Sequence, residues 1–201
     1  MKKKIRLLSI FIAAFMSISS ITPPDQSVKE YLGLARTLAF DGASYTLSWS
    51  SHPTAAYYKQ EYVLKGEKTE HFTKMILADV LVGNQLAKDL ADNKIADLKQ
   101  QKSGNPFIEY QLSEKSGEYI LDFIITANSA DGKTITIAER NVYRYRNFKN
   151  AAGKTGIVMY GISNRAYGAG CASFIKTQKN NRNTLSDKFS AVSFADPSIA
   201  Q

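Results

Sequence analysis

From Phe107 to Tyr167 the apolar residues recur with a period of two, in four runs: Phe107 to Leu112, Tyr119 to Ala127, Lys133 to Phe148 and Thr155 to Arg165. Side chains two apart share one face of a strand, so each run reads as a β-strand with one packed face. The breaks between the runs are short: Ser116-Gly117, Asp131-Gly132, and Asn150-Ala151-Ala152-Gly153-Lys154. Parallel neighbours need a long crossover, and these connections are too short for one, so the four strands form an antiparallel meander.

Upstream, Tyr45-Thr46-Leu47-Ser48-Trp49 and Tyr57 to Leu64 read as two more strands, closed by His52-Pro53 and Lys65-Gly66. Phe72, Met75, Ile76, Asp79 and Val80 then fall at helical spacing up to Gly83-Asn84, and Gln85 to Gln101 continues with Leu86, Leu90, Ile95 and Leu98 on one side. That pattern predicts two consecutive helices. Ser27 to Phe40 allows a short amphipathic helix, and Cys171 to Val192 is polar and helix-compatible. The expected fold is therefore α+β: an antiparallel sheet of about six strands, including the C-terminal four-strand meander, packed by two or three helices.

At the N-terminus Lys2, Lys3, Lys4 and Arg6 precede the apolar run Leu7 to Met16, which ends in Ser17-Ile18-Ser19-Ser20. A charged head, an apolar middle and a small-residue end make a signal peptide, and the run is too short for a bilayer span. Four segments follow: 1–20 a cleaved signal peptide, 21–43 a partly helical lead-in, 44–192 a single α+β domain and 193–201 a disordered tail. About 180 residues would remain after cleavage, the size of one domain. Loss of Lys2, Lys3, Lys4 and Arg6 takes the formal charge from +8 to +4. A mixed surface of that charge does not favour nucleic acid. The expected location is periplasmic or secreted, with no stable membrane span after cleavage. The one cysteine, Cys171, cannot form an intramolecular disulfide there, and its position rules out lipidation at the cleavage site.

The run Glu61-Tyr62, Lys65-Gly66-Glu67, Glu70, Phe72-Thr73 and Met75 is similar to a pattern in exported bacterial proteins of unassigned function. There, a strand ending in an acidic residue turns through Gly-Glu or Gly-Gln into a helix carrying an aromatic residue, Thr and Met. Glu139-Arg140 inside the third meander strand is compatible with the same group. In layout these proteins resemble the PsbP-like extrinsic subunits of photosystem II, which implies a sandwich of helices on one antiparallel sheet and no catalytic residues. The chain departs from the pattern in carrying Phe72 where tryptophan is expected, and in the segment before Asp41.

Chemistry-bearing residues are few. His52 and His71 have no paired spacing and Cys171 stands alone, so neither a metal nor a cofactor is expected. Gly168-Ala169-Gly170-Cys171 lacks the remaining residues of a P-loop or a dinucleotide fingerprint. Cys171 at a helix start, with His71 or His52 nearby, would make a nucleophile; the plainer reading is a small buried side chain. Arg140, Arg144 and Arg146, with Lys149, form a basic ladder that could bind an acidic polymer, lipid headgroups or a partner's carboxylates. The alternative is pairing with Glu118 and Asp122 on the adjoining strand. The leading expectation is a non-enzymatic exported domain that binds a protein or cell-envelope component. The alternatives are a small exported cysteine enzyme and a secreted effector or immunity-type protein.

Overall fold

The computed structural model describes residues 28–199, and the segment read as a signal peptide lies outside them. Eight strands form one antiparallel sheet: β1 (Thr37–Phe40), β2 (Ala43–Thr54), β3 (Tyr57–Leu64), β4 (Lys74–Val82), β5 (Glu109–Lys115), β6 (Glu118–Asn128), β7 (Ile135–Lys149) and β8 (Thr155–Tyr167). The order across the sheet is β1-β2-β3-β4-β8-β7-β6-β5. It consists of two four-stranded meanders laid edge to edge, with β4 paired to β8 along its whole length from Lys74↔Asn164 to Val82↔Gly156. Helix α1 (Ala87–Lys102) joins the meanders, and α2 (Cys171–Asn180) and α3 (Arg182–Ser190) follow β8.

The fold is α+β, but the count of six strands is corrected to eight, and both additions stand where helix was expected. Strand β4 lies at the sheet's centre with Ile76, Ala78 and Val80 fully buried on one side and Met75, Leu77 and Asp79 on the other. A strand buried on both faces loses its alternation, and its continuous apolar run imitates a helical stripe. Phe72 and Met75 therefore lead into a strand and not into a helix.

The second correction is β1. Its hairpin with β2 closes Phe40↔Ala43 around Asp41 and Gly42, both at positive φ (48° and 76°). Two successive residues in that region define the tight turn that matches the twist of the flanking strands. Ser116 and Gly117, with φ of 53° and 77°, make the same turn between β5 and β6. Ahead of β1 the chain is held by Glu30, whose carboxylate accepts hydrogen bonds from the backbone N–H groups of Leu32, Gly33 and Leu34.

The two faces of the sheet are covered differently. One packs Tyr45, Tyr62, Ile76, Val142, Tyr160 and Ile162 beneath Leu32, Leu34, Phe189 and Ile199. Residues 193–199, read from sequence as a disordered tail, contribute to that layer: Tyr160 donates its hydroxyl to the Ala195 carbonyl at 2.6 Å, and Ser198 N–H bonds Leu32 C=O at 2.7 Å. The opposite face carries α1, which buries Ala87, Ala91 and Leu98 against Leu121, Phe123, Tyr145, Ile157 and Met159. Helix α1 lies over β5, β6 and β7. The same face of β2, β3 and β4 has no helix above it among the described residues.

Candidate binding surface

The arginine ladder is an internal seam. Arg140, 1% exposed, donates Nε and Nη2 to the two oxygens of Asp122 at 3.1 and 2.7 Å, and Nη1 to Gln178 Oε1 at 3.1 Å. Arg144 pairs with Glu118 at 2.7 Å, and its Nη1 bonds the carbonyls of Phe189 and Val192, each at 2.7 Å. Arg146 reaches Glu118 and Asp196. A helix leaves its last carbonyls without intrahelical donors, and a guanidinium satisfies them while complementing the negative end of the dipole. The ladder thus docks α2, α3 and the final segment onto β6 and β7. Lys149 is exposed at the end of β7, out of parity with the three arginines.

The thiol and the two histidines stay apart from one another's hydrogen bonds. Cys171 is 2% exposed among Ala138 and Ile175, its Sγ 3.5 Å from the Ala166 carbonyl, and burial pushes the thiol upward. His52 stacks on Tyr58 at 3.9 Å and His71 on Tyr167 at 4.2 Å. Among the described residues no hydrogen bond joins Cys171 to either ring. Labelling of the native protein with a thiol reagent at pH 7 should be slow and should accelerate at least a hundredfold in denaturant, because a buried, protonated thiol reacts only through opening. Complete native labelling within minutes would overturn this burial.

A different group of polar residues gathers on the helix-free part of the α1 face. Register places Trp49, Glu61, Leu77, Gly161 and Tyr143 in one row across β2, β3, β4, β8 and β7, and Ser51, Lys59, Asp79, Met159 and Tyr145 in the next. Trp49 is 39% exposed. Gly161 is needed there, since a Cβ would lie 2.8 Å from the Tyr143 ring.

Asp79 is almost fully buried. Its Oδ2 accepts the Tyr57 hydroxyl at 2.8 Å and lies 3.9 Å from Lys59 Nζ, while its Oδ1 has no partner. Asn141, two rows from Asp79 on the far side of the Glu61 row, accepts from Ser163 but leaves its own Nδ2 unpaired. Loss of solvent raises the Asp79 carboxyl above its usual range, against the pull of Lys59 and Tyr57. Burial pushes the Glu61 carboxyl up to about 7, with Lys59 opposing the shift and Asp79 adding to it. Desolvation and the Asp79 charge likewise raise the Tyr57 hydroxyl.

Sequence reasoning missed this group. Its signal was a charged residue inside the otherwise apolar run from Met75 to Val82, which the helical reading turned into part of a stripe. Two shallow hollows elsewhere, of about 390 and 260 Å³, lie beside Lys149 and Asp196 and beside Leu86 and Asn147. Neither borders Asp79. The Asp79–Glu61 region is a sheet surface with a buried carboxyl beneath the exposed Trp49.

A family model matches residues 32–194, a span that holds all eight strands and the three helices. The chain belongs to this uncharacterised family. Trp49, Lys59, Glu61 and Asp79 all fall inside the family's span. Neither the curated proteins nor the solved structures contain a match to the chain.

Proposed function

We propose that this family member is an exported, non-enzymatic domain that binds a protein or other cell-envelope component through the open part of its α1 face. The observation that carries the reading is the pairing of an exposed Trp49 with the buried Asp79 carboxyl, whose Oδ1 the fold leaves without a partner. Buried polar groups are normally fully bonded, and those left wanting a partner concentrate where something else docks. The arginine ladder is less suited to such a contact, because Arg140 and Arg144 already hold the chain's own carboxylates and helix ends. Export rests on the charged, apolar and small-residue succession from Lys2 to Ser20.

The test is recovery of envelope components by the tagged full chain, with Trp49→Ala and Arg146→Gln as comparisons and fractionation to follow the leader. A specific component should be lost with Trp49→Ala and retained with Arg146→Gln, and the processed protein should leave the cytoplasm. Equal recovery by Trp49→Ala and the unaltered chain would overturn the surface, and retention of an uncleaved cytoplasmic chain would overturn export.

A further inference from the structure

We infer that the open face takes the basic segment of a partner protein, a lysine or arginine side chain seating between the Trp49 ring and the Glu61 carboxylate. The inference rests on the reading of this face as the contact surface. The chain's own Lys59 shows what the site accepts. Its ammonium lies 6.0 Å from the centre of the Trp49 ring and 3.9 Å from Asp79 Oδ2, so an aromatic face and a carboxylate already share one cation.

One cation is too few. Lys59 faces two carboxylates, and among the described residues Glu61 joins no hydrogen bond or ion pair within 4.0 Å. Asp79, with 9% of its side chain exposed, keeps Oδ1 unpartnered directly beneath. Once Glu61 ionises, above about pH 7, its desolvated negative charge beside an exposed indole complements a cation and repels phosphate or acidic glycan. Neither of the two hollows described above borders Trp49, and the row Trp49–Glu61–Leu77 runs across adjacent strands, which suits an extended segment laid over them.

Trp49 is the chain's one tryptophan, so its fluorescence reports on this face alone. The probes are two capped pentapeptides, Lys-Gly-Lys-Gly-Lys and Glu-Gly-Glu-Gly-Glu, titrated into the full chain with calorimetry as the second readout. The lysine peptide should bind and shift the emission, and the glutamate peptide should do neither. Glu61→Gln should weaken the lysine peptide about tenfold, the size of one partly desolvated charge pair. Glu114→Gln, which removes the same charge from exposed β5, should leave affinity unchanged.

Affinity should also rise between pH 6 and 8 as Glu61 ionises. The groups facing it are Lys59 and Tyr57 of β3, Asp79 of β4, Tyr143 of β7, Arg165 of β8 and Glu70 of the loop between β3 and β4. No binding of the lysine peptide overturns the inference, as does equal weakening by Glu61→Gln and Glu114→Gln. If Trp49-dependent capture of an envelope component persists while the peptide fails, the contact surface stands and its preference for a cation falls.

Discussion

Asp122→Ala should destabilise the protein by about 3–5 kcal/mol, the cost of taking the neutralising carboxylate away from a buried charge that keeps the neutral acceptors Gln178 and Asn181 C=O. For a domain of this size that lowers the melting temperature on the order of 10 °C. The charge left behind is Arg140, whose side chain is 1% exposed and whose Nε and Nη2 lose both of their carboxylate acceptors. Exposed ion pairs contribute far less and fade with salt, so the loss should be nearly the same in 0.05 and 0.5 M NaCl. Replacing both partners by apolar residues, Asp122→Leu with Arg140→Met, removes the stranded charge as well as the pair. Most of the stability should return, giving a coupling energy on the order of 2 kcal/mol in a double-mutant cycle. Additive effects, or a loss below about 1 kcal/mol for Asp122→Ala, would show that the guanidinium finds water once its partner is gone.

The same pair shows where the sequence was legible. The period of two from Phe107 to Tyr167 located β5–β8 and put Arg140, Arg144 and Arg146 on one parity, opposite Glu118 and Asp122. It could not show that α2, α3 and residues 193–199 return over that parity, because their packing is long-range: Arg144 meets Phe189 and Val192, more than forty positions later. Charge at strand spacing looks alike whether it faces water or caps a helix. Strand β4 was illegible for the opposite reason, being buried on both faces and so without alternation. Strand β1 was legible and missed, since Asp41-Gly42 is a strong hairpin signal. The candidate surface depends on β4. Only when Lys74–Val82 is a strand does Asp79 sit beside Lys59 and diagonal to Glu61, so the error in secondary structure hid the site as well.

Glu61→Gln should stabilise the protein, and only above about pH 5. Burial holds the folded carboxyl at about 7, against 4.5 for an ordinary glutamate, so between those values the folded chain binds a proton that the unfolded chain has released. Stability contributed by this group is therefore complete below about pH 4.5 and falls as pH rises through 7. Asp79 is raised in the same direction, for the same first cause, and the two carboxyls influence each other's ionisation. A tenfold difference in proton affinity between the folded and unfolded chains is worth about 1.4 kcal/mol, and with Glu61 still partly solvated its removal should add on the order of 2 kcal/mol at pH 8. Thermal melts from pH 4 to 8 should show matching curves at the acid end and a gain of about 5 °C at the alkaline end. An equal gain at pH 4 and pH 8 would mean that packing, not charge, separates the variants. The direction of this effect bears on function. A carboxylate that the fold would tolerate better as an amide is not retained for stability, and Glu61→Gln is expected to lose the basic peptide while melting higher. A variant that is more stable and binds less well cannot have failed through unfolding, which makes position 61 the place where stability and recognition can be measured against each other.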